Sequence, residues 1–145
     1  MNRTEHEPDA SCTRPHDVGT YTFDWGMIKW LVAPDRYDGA KVTFGEVVLL
    51  PGKGHARHNH ATSEEILYVI AGEGEQMVND GQPYAIRAGD TVYVPTAAFH
   101  STLNTGWLPL RLIAVYNPAG AEAVLRELPD FREASAGDVV NLVRA

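Results

Sequence analysis

Strand-like runs dominate the chain. From residue 21 to residue 116, short stretches in which apolar and polar positions alternate are separated by Gly, Pro, Asn and Asp. Residues 21–25 and 27–32 are rich in aromatic and apolar side chains, and residues 34–39 form a loop. Residues 41–50 (KVTFGEVVLL) predict a long strand ended by Pro51 and Gly52, and residues 65–71 (EILYVIA) predict another, closed by Gly72 and Gly74. A strand over 75–78 leads into Asn79-Asp80-Gly81, a hairpin signal, because Asn or Asp before Gly tolerates the positive φ of a tight turn. Further strands are predicted over 82–86, 91–94, 100–104 and 108–116. Strands recurring about every ten residues without helices between them predict an all-β fold, an antiparallel double-sheet sandwich or barrel. Only residues 119–128 read as helical. Val124, Leu125 and Leu128 form an apolar stripe there, Pro129 ends it, and the short helix is expected to pack across an open end or edge of the barrel.

This pattern divides the chain into a polar arm over residues 1–19, a barrel domain with its helix over 20–131, and a tail over 132–145. The arm has almost no large apolar side chains to offset ordering entropy and is expected to be flexible, with His6 and His16 as solvated histidines. The tail is polar, then weakly apolar, suited to a last strand or a partner contact. At 145 residues the chain is large enough for one core without disulfides. The single cysteine, Cys12, permits no intrachain bridge and suits a reducing cytoplasm. A net charge of −7 argues against a nucleic-acid partner. No stretch approaches the roughly 20 apolar residues that span a bilayer, and the N-terminus carries no secretory pattern, so a soluble cytoplasmic protein is expected.

Histidines supply the candidate chemistry. His58 and His60 are two apart, so on a strand both imidazoles leave one face, roughly 6–7 Å apart at the backbone. With a carboxylate from Glu64 or Glu65 and a further imidazole from His100, they make an N/O donor set suited to a divalent metal. No thiolate belongs to it, which excludes a structural zinc knuckle. Nucleophile motifs are missing: Cys12 lies in the arm, and neither a Gly-x-Ser-x-Gly elbow nor a phosphate-cradling Gly-x-x-x-x-Gly-Lys occurs. No catalytic residue is assigned.

Two stretches resemble the paired motifs of the cupin superfamily, over roughly residues 42–116. The first has Gly52, His58, His60, Glu65 and Gly72 in register; the second has Gly89, Pro95, His100 and Asn104, with Ala97 where the family has glycine. The resemblance implies a jelly-roll barrel of two sheets holding one divalent ion (Fe, Mn, Ni, Co or Zn) through His58, His60, Glu65 and His100. The interval to Gly72 selects Glu65 over Glu64. Ala97 is expected to adjust the turn before His100, since glycine alone enters the left-handed region readily.

If Glu65 points inward, alternation puts Leu67 and Val69 on the same face and Ile66, Tyr68 and Ile70 on the other. The metal then sits beside an apolar wall. The outer stripe calls for a cover, either a partner chain or the segment 21–32 with Trp25 and Trp30, and a homodimer is expected. His55 reads as a surface histidine of a hairpin turn, or else as a residue of the mouth. Thr102 and Asn104 share the His100 face and are candidates to orient water or substrate, Gln76 and Tyr93 are candidates to reach the cavity, and Lys53 and Arg111 are expected to be solvated. The expected function is dioxygenase-type oxidation of a small organic molecule. The alternatives are a non-oxidative isomerase, lyase or decarboxylase on a sugar-derived or keto acid, or a metal-stabilised binding or sensing module.

Overall fold

The structure is a computed structural model and describes residues 11–141. Eleven strands form it: β1 (Thr20–Phe23), β2 (Gly26–Val32), β3 (Thr43–Leu49), β4 (Gly54–His58), β5 (Glu64–Ala71), β6 (Glu73–Val78), β7 (Tyr84–Arg87), β8 (Thr91–Val94), β9 (His100–Asn104), β10 (Leu110–Asn117) and β11 (Arg132–Ala134). They make two antiparallel sheets, a seven-stranded one in the order β11-β1-β2-β3-β10-β5-β8 and a four-stranded one in the order β4-β9-β6-β7. This is the antiparallel double-sheet barrel that the alternation predicts, and the jelly roll that the resemblance implies. The polar start of the tail supplies β11, which pairs with β1.

The two sheets contribute unlike faces to the interior. The seven-stranded sheet brings Ile28, Val47, Leu49, Leu67, Val69, Leu110 and Leu112, all buried. The four-stranded sheet turns inward the polar set Gln76, His100, Thr102 and Asn104, equally buried. Buried polar atoms are costly unless bonded, and most of these are: Thr102 Oγ1 donates to Gln76 Oε1 (2.7 Å), and Asn104 Nδ2 donates to Leu49 O (2.9 Å) and Leu108 O (2.8 Å). Asn104 therefore ties the sheets together instead of orienting water or substrate.

Several expectations are corrected. Segment 21–32 does not leave for a partner: β2 pairs with β3 of the same chain, and Trp30 is buried against Tyr116. Nor does it cover the Ile66–Tyr68 stripe, since β5 lies between β10 and β8, on the far side of β3 from β1 and β2. Ile66 and Tyr68 do face outward, 40% and 45% exposed. The hairpin after β6 takes its positive φ at Asn79 and Asp80, as its turn signal requires. The C-terminal helix is a 3-10 helix, Ala121–Glu127, which buries Leu125 and anchors Glu122 to Thr43 Oγ1 (2.8 Å). No described helix is long and apolar enough to cross a membrane.

Candidate metal centre

His58 is the last residue of β4 and faces His100, the first residue of β9, across the ladder. Glu65 reaches them from β5 of the other sheet. His60 lies beyond the end of β4, so strand alternation is not what aims it. A register shift between His55 and His58 and a hydrogen bond from Ala97 N to His60 O (3.0 Å) set its place. Ala97 adopts the left-handed conformation itself, φ 65°, and thereby keeps the turn that glycine would have made.

One ligand atom from each of His58, His60, Glu65 and His100 can be chosen so that all lie within 4.8 Å of one another. Glu65 Oε2 is 2.8 Å from His100 Nε2 and 3.2 Å from His60 Nε2. These three buried atoms nevertheless make no aligned hydrogen bond: they converge on a common centre rather than pairing off. Ligands on one ion at bond lengths near 2.0–2.2 Å lie roughly 3–4 Å apart, so the group needs only slight tightening to close on one. His58 Nδ1 sits 2.7 Å from Ala56 O, and His100 Nδ1 sits 3.1 Å from Ala98 O. Donation to those carbonyls puts the proton on Nδ1 and leaves each Nε2 lone pair to the centre. The group fits a divalent ion.

Electrostatics prepare the donors. Burial pushes the Glu65 carboxyl up, but its contacts to His100 and His60 outweigh this and bring it down to about 2. Burial, reinforced by His100, lowers His58 to about 4. Burial also opposes charge on His100, but Glu65 wins and raises it. Glu64 points away, accepting from Tyr93 Oη (2.8 Å) and Asn117 Nδ2 (3.1 Å). Tyr93 is 56% exposed and does not reach the cavity, contrary to expectation. Arg111 is bound to Glu46.

Beside this group lies a cavity of about 400 Å³, lined by His58 and His60, by Val124 and Leu125 of the 3-10 helix and by Leu128 that follows it. A second hollow of about 20 Å³ sits deeper, against Glu65, His100 and Thr102. His55 and Tyr116 line both. His55 is turned inward, its ring 4.1 Å from that of Trp25 and 5.1 Å from that of His58, and burial lowers it to about 3. It is not a surface histidine. Tyr116 is not among the residues singled out by motif or spacing; its ring lies 4.6 Å from His60, and burial raises its hydroxyl well above the usual range. Alternation from Leu112 through Ala114 would have placed it inward.

Residues 45–116 match the family described as Cupin domain. The chain belongs to that family. It is a cupin with a His-His-Glu-His group that could hold a metal ion. This cupin is 34% identical over 97 residues to an uncharacterized protein of Methanocaldococcus jannaschii, covering 67% of the chain and 77% of that protein. It is 33% identical over 105 residues to a glucose-6-phosphate isomerase of Thermococcus onnurineus, covering 63% of the chain and 54% of that enzyme. Its fold superposes on the crystal structure of a predicted oxalate decarboxylase from Thermotoga maritima with a TM-score of 0.64 and 25% identity, over 73% of this chain and 97% of that one.

Proposed function

We propose that His58, His60, Glu65 and His100 hold one divalent metal ion, and that the cupin is a metal-dependent enzyme oxidising a small apolar or enolisable molecule with dioxygen. The convergence of four buried or half-buried donors beside an apolar cavity carries this reading. Bound there, iron(II) supplies dioxygen activation, whereas manganese, nickel, cobalt or zinc supplies polarisation of a carbonyl or enol. The chain's own part is preparation. Ala56 O and Ala98 O fix the tautomers of His58 and His100, Glu65 stays anionic, and Leu67 and Tyr116 keep bulk water from the donors. A homodimer in a reducing cytoplasm is proposed with it, the outer face of β5 being the surface that meets the second copy.

A second reading, non-oxidative isomerisation or decarboxylation, draws support from the relatives named as a glucose-6-phosphate isomerase and a predicted oxalate decarboxylase. Metal analysis of protein purified without added metal, then anaerobic iron(II) reconstitution and an oxygen-uptake screen, separates the two. Iron-dependent oxygen uptake that His60→Ala abolishes is the expected result. Tight zinc or nickel with no oxygen uptake favours the second reading. Stabilisation by metal with silence in every screen reduces the protein to a binding module.

A further inference from the structure

The two hollows differ in what they admit. At roughly 30 Å³ per water-sized group, the outer one holds on the order of a dozen non-hydrogen atoms and the inner one no more than about a single water. Trp25, Tyr116 and the 3-10 helix make the outer wall apolar. Arg57 is the only lysine or arginine among the described residues lining it, and its guanidinium is already bound to both carboxylate oxygens of Asp80 (2.6 and 2.7 Å) and lies over the Phe99 ring. Asp130, also on the lining, brings a negative charge and accepts from Asp24 N. A small dicarboxylate would find neither a fitting volume nor a side-chain cation here.

Apart from His60 Nε2, which belongs to the metal group, one buried polar atom among the described residues of this wall has no partner. His55 Nε2 is buried without a hydrogen bond, on a ring that faces both hollows. A buried unpaired imidazole nitrogen costs free energy that a ligand oxygen would recover.

We infer that the outer cavity binds an apolar, ring-bearing molecule of about a dozen non-hydrogen atoms whose hydroxyl or enol oxygen pairs with His55 Nε2, and that small dicarboxylates are not its ligands. This deepens the proposed function, resting on it only in that the bound molecule also faces the metal group. His55 is then a binding and positioning residue, and Val124 and Leu128, 53% and 40% exposed at the rim, set which rings enter.

The test is calorimetric titration of the chain, as purified and after chelation, with 2-naphthol, naphthalene and oxalate. The expected result is one-to-one binding of 2-naphthol at micromolar concentration, with naphthalene and oxalate at least tenfold weaker. His55→Ala should remove the preference for 2-naphthol over naphthalene, His55→Gln should restore part of it, and Leu128→Asp should weaken both aromatic probes. Metal content should be unchanged in His55→Ala. Oxalate binding as tightly as 2-naphthol overturns the inference, as does a preference that survives His55→Ala, or loss of metal from that variant. Failure of the wild-type chain to bind any metal would instead sink the proposed metal enzyme, leaving the chelated-protein titrations to decide the cavity alone.

Discussion

Ala97 holds a left-handed backbone that costs a residue with a Cβ roughly 1–2 kcal/mol. Ala97→Gly should therefore stabilise the protein by up to about 1 kcal/mol, the gain reduced by glycine's freer unfolded chain; urea melts at constant slope check it. Titration of the metal-free protein has a definite sign. His55 and His58 are depressed to about 3 and about 4, so between those values and 6.5 the unfolded chain binds more protons, and stability falls as pH falls through that window. Glu65, depressed to about 2, adds a loss beginning below 4.5. His100, raised by Glu65, acts oppositely and gives up stability as pH rises through its folded value. Three groups against one predict a melting temperature that drops steadily from pH 7 to pH 4, with bound metal steepening the slope because protons compete for its ligands. A flat profile over that range would contradict the burial of His55 and His58. Which glutamate faces inward was legible from the motif interval to Gly72, whereas alternation alone could not choose, because both faces of β5 carry apolar residues. His55 was not legible, because nothing in the sequence shows that Trp25 closes over it.

Between elements, β4 and β9 are the pair that matters, since His58 and His100 face each other across their ladder. Gly54 lets them approach: a Cβ there would collide with Thr102 O. Gly54→Ala should push the strands apart and lower metal affinity more than tenfold while the seven-stranded sheet stays folded; metal titration with far-UV circular dichroism reads both. Asn104→Ala removes donors to Leu49 O and Leu108 O and the acceptor for Gly106 N, a loss of about 2–4 kcal/mol in chemical denaturation. Order of turns and inward faces could be read from alternation wherever the period of two persists, as in β3 and β10. It failed at β4, where the register shifts inside the histidine motif. There the spacing of His58 and His60 pointed to residues that the structure does bring together, but through a wrong geometry, because a loop bond from Ala97, not a strand, aims His60.

The whole molecule sets an apolar sheet against a partly polar one, and leaves outside a second apolar surface where Ile66, Tyr68 and Tyr93 stand on neighbouring strands. Light scattering is expected to give a dimer at micromolar concentration, and Tyr68→Lys with Ile66→Asp a folded monomer; a monomeric wild type would remove the dimer from the proposal. Nothing in the sequence alone could place β1 and β2 in the barrel's own sheet, since strand pairing over such distances leaves no local signal. The bond from Asn104 to Leu49 already shows the sheets being tied across the interior. An ion held by His58 and His100 on one sheet and Glu65 on the other would act there as a rivet, joining segments about 40 residues apart and shortening the loops of the unfolding chain much as a disulfide does. Its effect would be felt in the equilibrium itself: the loaded barrel should melt higher than the empty one by an amount that grows with free metal, and should resist proteolysis accordingly.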